Sequence, residues 1–386
     1  MRPTSPLISG LGKKAFRLIC AVVIAGTIGG SSTVSGRAPA VSKSAADTCD
    51  GLSPTVVRGF MTAKLGTVTP DMLSAMRNTW GANVIRLQMF PVDLANSMGK
   101  SLNDSWPAIL DVLDQTVANA NAVGLKVVVD MHQAPFNGGI PGGDEKSAVM
   151  WNSAQLTPSF VVAWKRIAQK LKPRQSGIWA FDLYNEPAIS GLSTAPPQWR
   201  PLALKLAQEI HGIAPTVWVA YDPGPGGQAT GYKDLTPLAD DKVVYEFHDY
   251  IPYRFTHQGL PDWPTVSNYP SGEGGATLDL AYRRKYMQPV VDFQKKYQVP
   301  IFVGEFSAIR WAPKAEAVRW LQESVDLYEA NGWSWTYHAF REWGGWSLEH
   351  DETRSDTTPV NGFTDRGRVI LNAMRKNKTV TSSDNC

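Results

Sequence analysis

Eight short β-branched or aromatic runs, a longer amphipathic stretch after most of them, and apolar residues on both faces of those runs predict an α/β fold, a (β/α)8 TIM barrel in a single domain. Runs apolar on both faces suit a parallel sheet covered by helices, because a half-solvated sheet would alternate. A count of eight favours closure into a ring. The competing open, doubly wound sheet wants a glycine-rich phosphate turn after its first strand. The stretch "RGFMTAKLG" offers none.

In chain order, the first forty residues stand apart from this domain. Arg2, Lys13, Lys14 and Arg17 precede the apolar stretch "LICAVVIAGTIGG", and a Ser/Ala/Gly-rich spacer with "APA" at 38–40 follows. A basic start, a short apolar core and small residues after it describe a secretory signal peptide. An uncleaved spanning helix would need ~20 apolar residues, more than this core supplies. Residues 1–40 are therefore expected to be signal peptide and spacer, residues 41–386 the mature domain, and the protein secreted, extracellular or periplasmic. Cys20 lies inside the apolar core, which argues against a lipid-anchored cysteine. Cys49 and Cys386 remain, an even pair that an oxidising compartment would join as a disulfide between the two ends of the domain.

Removing the leader changes the charge. The 386 residues hold 38 Lys and Arg against 35 Asp and Glu, a net of +3. Five of the basic residues and no acid fall in 1–40, which leaves 33 against 35 and a net of −2. A near-neutral body without a basic run gives no electrostatic reason to expect nucleic acid as a partner. No further stretch reaches spanning length, so no membrane partner is expected after signal cleavage, and the domain is expected to be a monomer.

The strands are expected in "TVVRGFM" from Thr55, "NVIRLQM" from Asn83, "KVVVDMH" from Lys126 and "IWAFDLY" from Ile178. The other four are "TVWVAYD" from Thr216, "KVVYEFH" from Lys242, "PIFVGEF" from Pro300 and "WSWTYHAF" from Trp333. Helices fill the gaps. "TPDMLSAMRNTWG" offers Thr69 as cap, Pro70 at the first turn and Gly81 as a stop. Apolar residues at helical spacing mark 106–124, 157–171, 197–213, 278–297 and 313–332. The signal is weakest after the fifth strand.

In such a barrel the chemistry sits at the carboxyl ends of the strands. Polar residues recur there: Arg86 on strand two, His132 after strand three, Asn185 and Glu186 after strand four, His248 and Tyr250 after strand six, and Glu305 on strand seven. Any one of these alone reads as a structural hydrogen-bond partner or a solvated end; together they converge on one rim, as an active site would. Two carboxylates over one mouth suit glycoside hydrolysis: with retention at ~5–5.5 Å, with inversion at ~6.5–9.5 Å. Spacing in sequence leaves both open. Arg86 and Tyr250 are placed to hold Glu305 ionised, and Asn185 to hydrogen-bond a sugar hydroxyl. Glu186, sheltered by aromatic side chains, is expected to keep its proton near neutral pH. Trp151, Trp199, Trp263, Trp311, Trp343 and Trp346 fall in connections near the rim, where indole faces can pack on sugar rings. Of these, Trp311 and Trp343 are the candidate substrate platforms.

The strings "LYNEP", "VGEF", "IRLQ", "VVDMHQAP" and "FHDY", on strands four, seven, two, three and six, resemble glycoside hydrolase family 5, the cellulase family of clan A. The resemblance covers Thr55 to Arg375. It implies a retaining mechanism with Glu186 as acid/base and Glu305 as nucleophile, supported by Arg86, His132, Asn185, His248 and Tyr250. It implies no metal or organic cofactor. The implied substrate is a β-linked polysaccharide, commonly β-1,4-glucan, with mannan, xyloglucan, β-1,3-glucan and glycolipids as alternatives in the family. One position departs: where the family places a tryptophan at the end of strand eight, this chain has His338, followed by Phe340, Trp343 and Trp346. Two rivals remain. A carbohydrate-binding protein without turnover has no use for both carboxylates, and a metal-dependent barrel hydrolase would want clustered histidine ligands that "VVRGFM" lacks.

Overall fold

The eight expected runs all form strands, in one closed parallel barrel. They are β1 (Arg58–Met61), β2 (Val84–Met89), β3 (Lys126–Met131), β4 (Ile178–Asp182), β5 (Trp218–Tyr221), β6 (Val243–Asp249), β7 (Ile301–Phe306) and β8 (Ser334–Tyr337). Each pairs with its neighbour in sequence, and β1 closes on β8 through Gly59↔Thr336. The structure, a computed structural model, describes residues 54–191, 193–273 and 275–377. The expected signal peptide and the Cys49–Cys386 pair lie outside these residues.

Helices cover the barrel: Leu102–Ala122, Leu156–Leu171, Trp199–His211, Leu280–Tyr297, Lys314–Ala330 and a last one, Asp365–Met374, that periodicity did not pick out. Thr69 caps the first turn after β1 as expected, its hydroxyl accepting from the Met72 amide at 3.3 Å. That helix then widens into a π turn over Ala75–Thr79 and stops at Gly81, whose φ is +77°. After β5 no α-helix forms. Gly and Pro crowd "DPGPGGQATGY", which supports only a 3-10 turn at Ala229–Tyr232. Before the helix at Leu280, the connection after β6 adds a small hairpin, Ser271–Glu273 with Ala276–Leu278.

Side chains alternate along a strand with period two, and this sets the barrel interior in layers. Val84, Val128, Ala180, Ala220, Val244 and Phe302, with Val57 and Trp179, form a separate apolar cluster low in the barrel. Burying each of the larger of these side chains contributes about 1.5–3 kcal/mol. The opposite faces of the strands pack on the helices in the main core. Two residues further along the same strands, the inward positions turn polar.

Candidate active site

Arg86 follows Val84 on the inner face of β2 and is fully buried. Its Nη1 donates to Glu305 Oε1 at 2.8 Å, its Nε to Asp182 Oδ2 at 2.8 Å, and its Nη2 to Asn185 Oδ1 at 3.0 Å. Asp130 and Glu246 lie at 3.2 and 3.3 Å from the same guanidinium. One cation thus faces four carboxylates. Burial drives Asp182 to keep a proton, reinforced by Glu246, and its pKa stands well above the usual carboxylate value. Asp182 Oδ1 and Glu246 Oε2 each lack another donor, so a proton on Asp182 directed to Glu246 serves both.

Glu305 ends this network on β7. Tyr250 donates to its Oε2 at 2.8 Å, opposite the Arg86 contact on Oε1. Burial alone would raise its pKa, but His248, His338 and Arg86 outweigh that and hold it well below the usual carboxylate value. The residue before it has to be glycine: a Cβ on Gly304 would lie 1.7 Å from Glu246 Oε1. Glycine there leaves the inward position of β7 to the Glu246 carboxylate.

Glu186 sits just past β4 with φ +48°, a left-handed backbone before Pro187. Its Oε1 meets His248 Nδ1 at 2.9 Å, and Lys146 reaches its Oε2 at 3.2 Å. Here the expectation of a proton kept on Glu186 is corrected. Its close partners are cationic, not aromatic. Burial would raise its pKa, yet Lys146 first and then His248 bring it down to about 2. The proton sits instead on His248, whose pKa is raised well above that of a free imidazole: burial opposes this, and Glu305 and Glu186 overcome it. Gly227 makes room for that ring, since a Cβ there would stand 2.8 Å from it, and its carbonyl accepts the His248 amide at 2.7 Å.

Oxygens of Glu186 and Glu305 and a nitrogen of His248 all lie within 4.8 Å of one another. Arg86, Lys146 and the protonated His248 are the cations around these two carboxylates. A cleft of about 450 Å³ opens beside Glu186, lined by His132, Lys146, Tyr184 and Asn185 among others. His132 is oriented by Asp130 at 2.7 Å and packs on Phe90 with ring centroids 4.9 Å apart. Asn185 gives its oxygen to Arg86, which leaves its NH2 for a ligand hydroxyl.

The tryptophans divide. Trp151 and Trp199 are core residues, each 1% exposed, with indole N–H groups on the Ala188 and Asp222 carbonyls. Trp263 stacks on Tyr253. Trp343 is 44% exposed, edge-on to both Trp311 and Trp346 at 5.6 Å. Trp311 is held by the Gln258 carbonyl and covered by Arg354 at 4.4 Å, so it supports Trp343. His338 takes the strand-eight position with Trp346 behind it, 5.6 Å between centroids.

Asp130, Asp182, Glu246, Lys146 and Glu342 were missed by sequence reasoning. The first three had a signal: each stands two residues beyond an inward apolar residue, the period-two step that also yields Arg86. Lys146 and Glu342 lie in loops and carry none.

The family model for cellulase (glycosyl hydrolase family 5) matches residues 49–343. Endoglucanase C of Acetivibrio thermocellus is 26% identical over 300 residues, 70% of this chain and 80% of that protein. Cellodextrinase A of Ruminococcus flavefaciens is 25% identical over 270 residues, 68% of this chain and 76% of its own. Among solved structures, Thermotoga maritima Cel5A in complex with mannotriose superposes with a TM-score of 0.63 at 19% identity, covering 84% of this chain and 98% of that one. Matched over most of its length by that family's model, on a closed barrel that gathers the ordered motifs at one rim, the chain belongs to glycosyl hydrolase family 5 and is a glycosidase.

Proposed function

We propose that this glycosidase cleaves internal β-1,4 linkages of a glucan with retention, Glu305 acting as nucleophile and Glu186 as acid and then base. The observation that carries this reading is the approach of the two carboxylates to within 4.8 Å across the barrel mouth. That supports double displacement, whose carboxyl groups stand ~5–5.5 Å apart, over inversion at ~6.5–9.5 Å. A Glu305 oxygen attacks the anomeric carbon while the bond to the leaving oxygen breaks. Glu186 delivers a proton to that oxygen, drawn from the Glu186–His248 pair, which titrates as a unit. Once Glu305 is esterified its charge is gone, and with it part of what held the proton on the pair. Glu186 then takes a proton from water, whose oxygen attacks the anomeric carbon and frees Glu305.

Arg86, His132, Asn185, His248 and Tyr250 are the supporting groups, and Trp343, backed by Trp311, is an aromatic platform for a flanking sugar. The names of the curated relatives, an endoglucanase and a cellodextrinase, support β-1,4-glucan. His338 in place of a flat indole leaves room for a second reading, the same chemistry on mannan, xyloglucan, β-1,3-glucan or a glycolipid. The leader motif within residues 1–40 supports export of the domain in residues 41–386, which we take to act as a monomer. No helix among the described residues is long and apolar enough to cross a membrane.

Release of reducing ends from a panel of these glycans, with proton NMR of the first anomer formed, tests the reading. A β-anomer from β-1,4-glucan is expected. An α-anomer would exclude retention, and binding without product would leave a carbohydrate-binding protein. Glu186→Ala should hurt substrates with poor leaving groups more than activated aryl glycosides; equal losses would remove it as the acid.

A further inference from the structure

We propose that Glu342 is a positioning residue: through His338 it fixes the Tyr250 hydroxyl on Glu305, in a relay that holds only while the His338 ring carries both of its protons. The inference rests on Glu305 being the nucleophile, as proposed above.

The Tyr250 hydroxyl has one proton and two neighbours, Glu305 Oε2 at 2.8 Å and His338 Nδ1 at 2.6 Å. Ionised Glu305 can only accept, so the phenol donates to it and must itself accept from His338 Nδ1–H. At the other edge of the ring, His338 Nε2 lies 2.9 Å from Glu342 Oε2. That carboxylate is also only an acceptor, held ionised chiefly by His338 against the effect of its burial. Both ring nitrogens therefore donate. Trp346 packs against the ring and keeps it in this plane of contacts.

The charges around His338 come from several elements. Glu305 on β7 lies 3.7 Å from Nδ1. Glu342 follows on its own segment, and Arg86 on β2 opposes them. His257, beyond β6, feels the His338 charge and is lowered to about 4, first by burial, so it stays neutral. Gln88 on β2 and His132 after β3 face Glu342. Burial would lower His338, but Glu305 and Glu342 more than offset it and the net shift is upward.

Loss of the Nδ1 proton would turn that nitrogen into an acceptor competing with Glu305 for the single phenol proton. Loss of the Nε2 proton would set two lone pairs against each other at Glu342. Either event loosens the hydrogen bond that aligns Glu305 for attack. Glu342 bonds to His338 and not to Glu305, so its effect on Glu305 passes through the imidazolium.

The test uses the full chain labelled with 15N at histidine. Two-bond proton–nitrogen spectra of the resting protein should show His338 with both nitrogens in the imidazolium state near neutral pH. A neutral His338 ring there overturns the relay, and this readout needs no turnover, so it stands apart from any failure of the nucleophile assignment. In Glu342→Gln the His338 midpoint should fall by about one pH unit or more. Its kcat should fall about tenfold on the alkaline side of that new midpoint, with recovery below it and in Glu342→Asp. A midpoint that does not move, or an alkaline loss that ignores it, overturns the proposal. If Glu342→Gln does not fold, the wild-type spectrum decides alone.

Discussion

Two layers of the barrel interior, a single pleat apart on the same strands, are built on opposite principles. Below, Val84, Val128, Ala180, Ala220, Val244 and Phe302 fill the ring with apolar volume. Above, the next inward positions are Arg86, Asp130, Asp182, Asp222, Glu246 and the Gly304 gap. The lower layer holds the ring shut by shape. The upper is stable only while its charges and protons balance, and buried ionic clusters of this kind gain little or nothing over apolar packing. The difference teaches where the chemistry comes from: the acidic layer under the mouth buries one arginine deeply enough to anchor both Glu305 and Asn185.

Removing the proposed nucleophile, Glu305, which stands one residue beyond the Gly304 gap at the top of the upper layer, should separate activity from fold most sharply. Glu305→Ala is expected to lose on the order of 10⁴-fold or more in kcat. Its melting temperature should change little, because the cluster loses one of four carboxylates around one cation. Added azide, small enough to enter the vacated space, should restore part of the cleavage. Normal activity in this variant would end the assignment of Glu305.

Arg86→Met breaks the balance itself. It leaves Asp130, Glu246 and Glu305 buried around a methyl, and a stability loss of about 3–5 kcal/mol is expected from urea midpoints. If Arg86→Met unfolds no more easily than wild type, the upper layer is not held by charge. The lower layer should answer differently. Val128→Ala should cost about 1–3 kcal/mol through the cavity it leaves, while kcat/KM stays within about twofold of wild type. A Val128→Ala variant that loses activity without losing stability would erase the distinction between the layers.

How much of this was readable in the sequence follows the same division. The strands were legible because parallel strands buried on both faces are continuous apolar runs, and "KVVVDMH" became β3 to within a residue. The rim residues Arg86, Asn185, Glu186, His248, Tyr250 and Glu305 were legible because each interrupts or ends such a run. Which of Glu186 and His248 holds the proton was not. That depends on Lys146, forty residues upstream in a glycine-rich loop, whose approach no periodicity announces. Trp151 and Trp199 misled for a related reason: an indole in a connection looks the same whether the loop folds inward, as at Trp151, or outward, as at Trp343.

The finest test of the upper layer concerns its shared proton. Asp182→Asn should keep both contacts, the amide oxygen accepting from Arg86 as Asp182 Oδ2 does at 2.8 Å and the NH2 donating where the acid proton did. At low pH the change should therefore cost under about 1 kcal/mol. The pH dependence carries the information. Below the unfolded value of about 3.9, Asp182 is protonated in both states and contributes nothing. Above it the unfolded chain ionises while the folded one, with its pKa raised by burial and Glu246, still binds the proton. Wild-type stability then falls as pH rises towards the folded value, by up to about 1.4 kcal/mol per pH unit. Asparagine does not titrate, so its stability relative to wild type should climb over that window and turn favourable in urea series run from acid to neutral pH. Glu186 and Glu305, whose lowered values act with the opposite sign, are present in both proteins and largely cancel in the difference. A difference that stays flat with pH would mean that Asp182 is ionised beside Arg86, and that the layer balances its four carboxylates in some way other than by a buried proton.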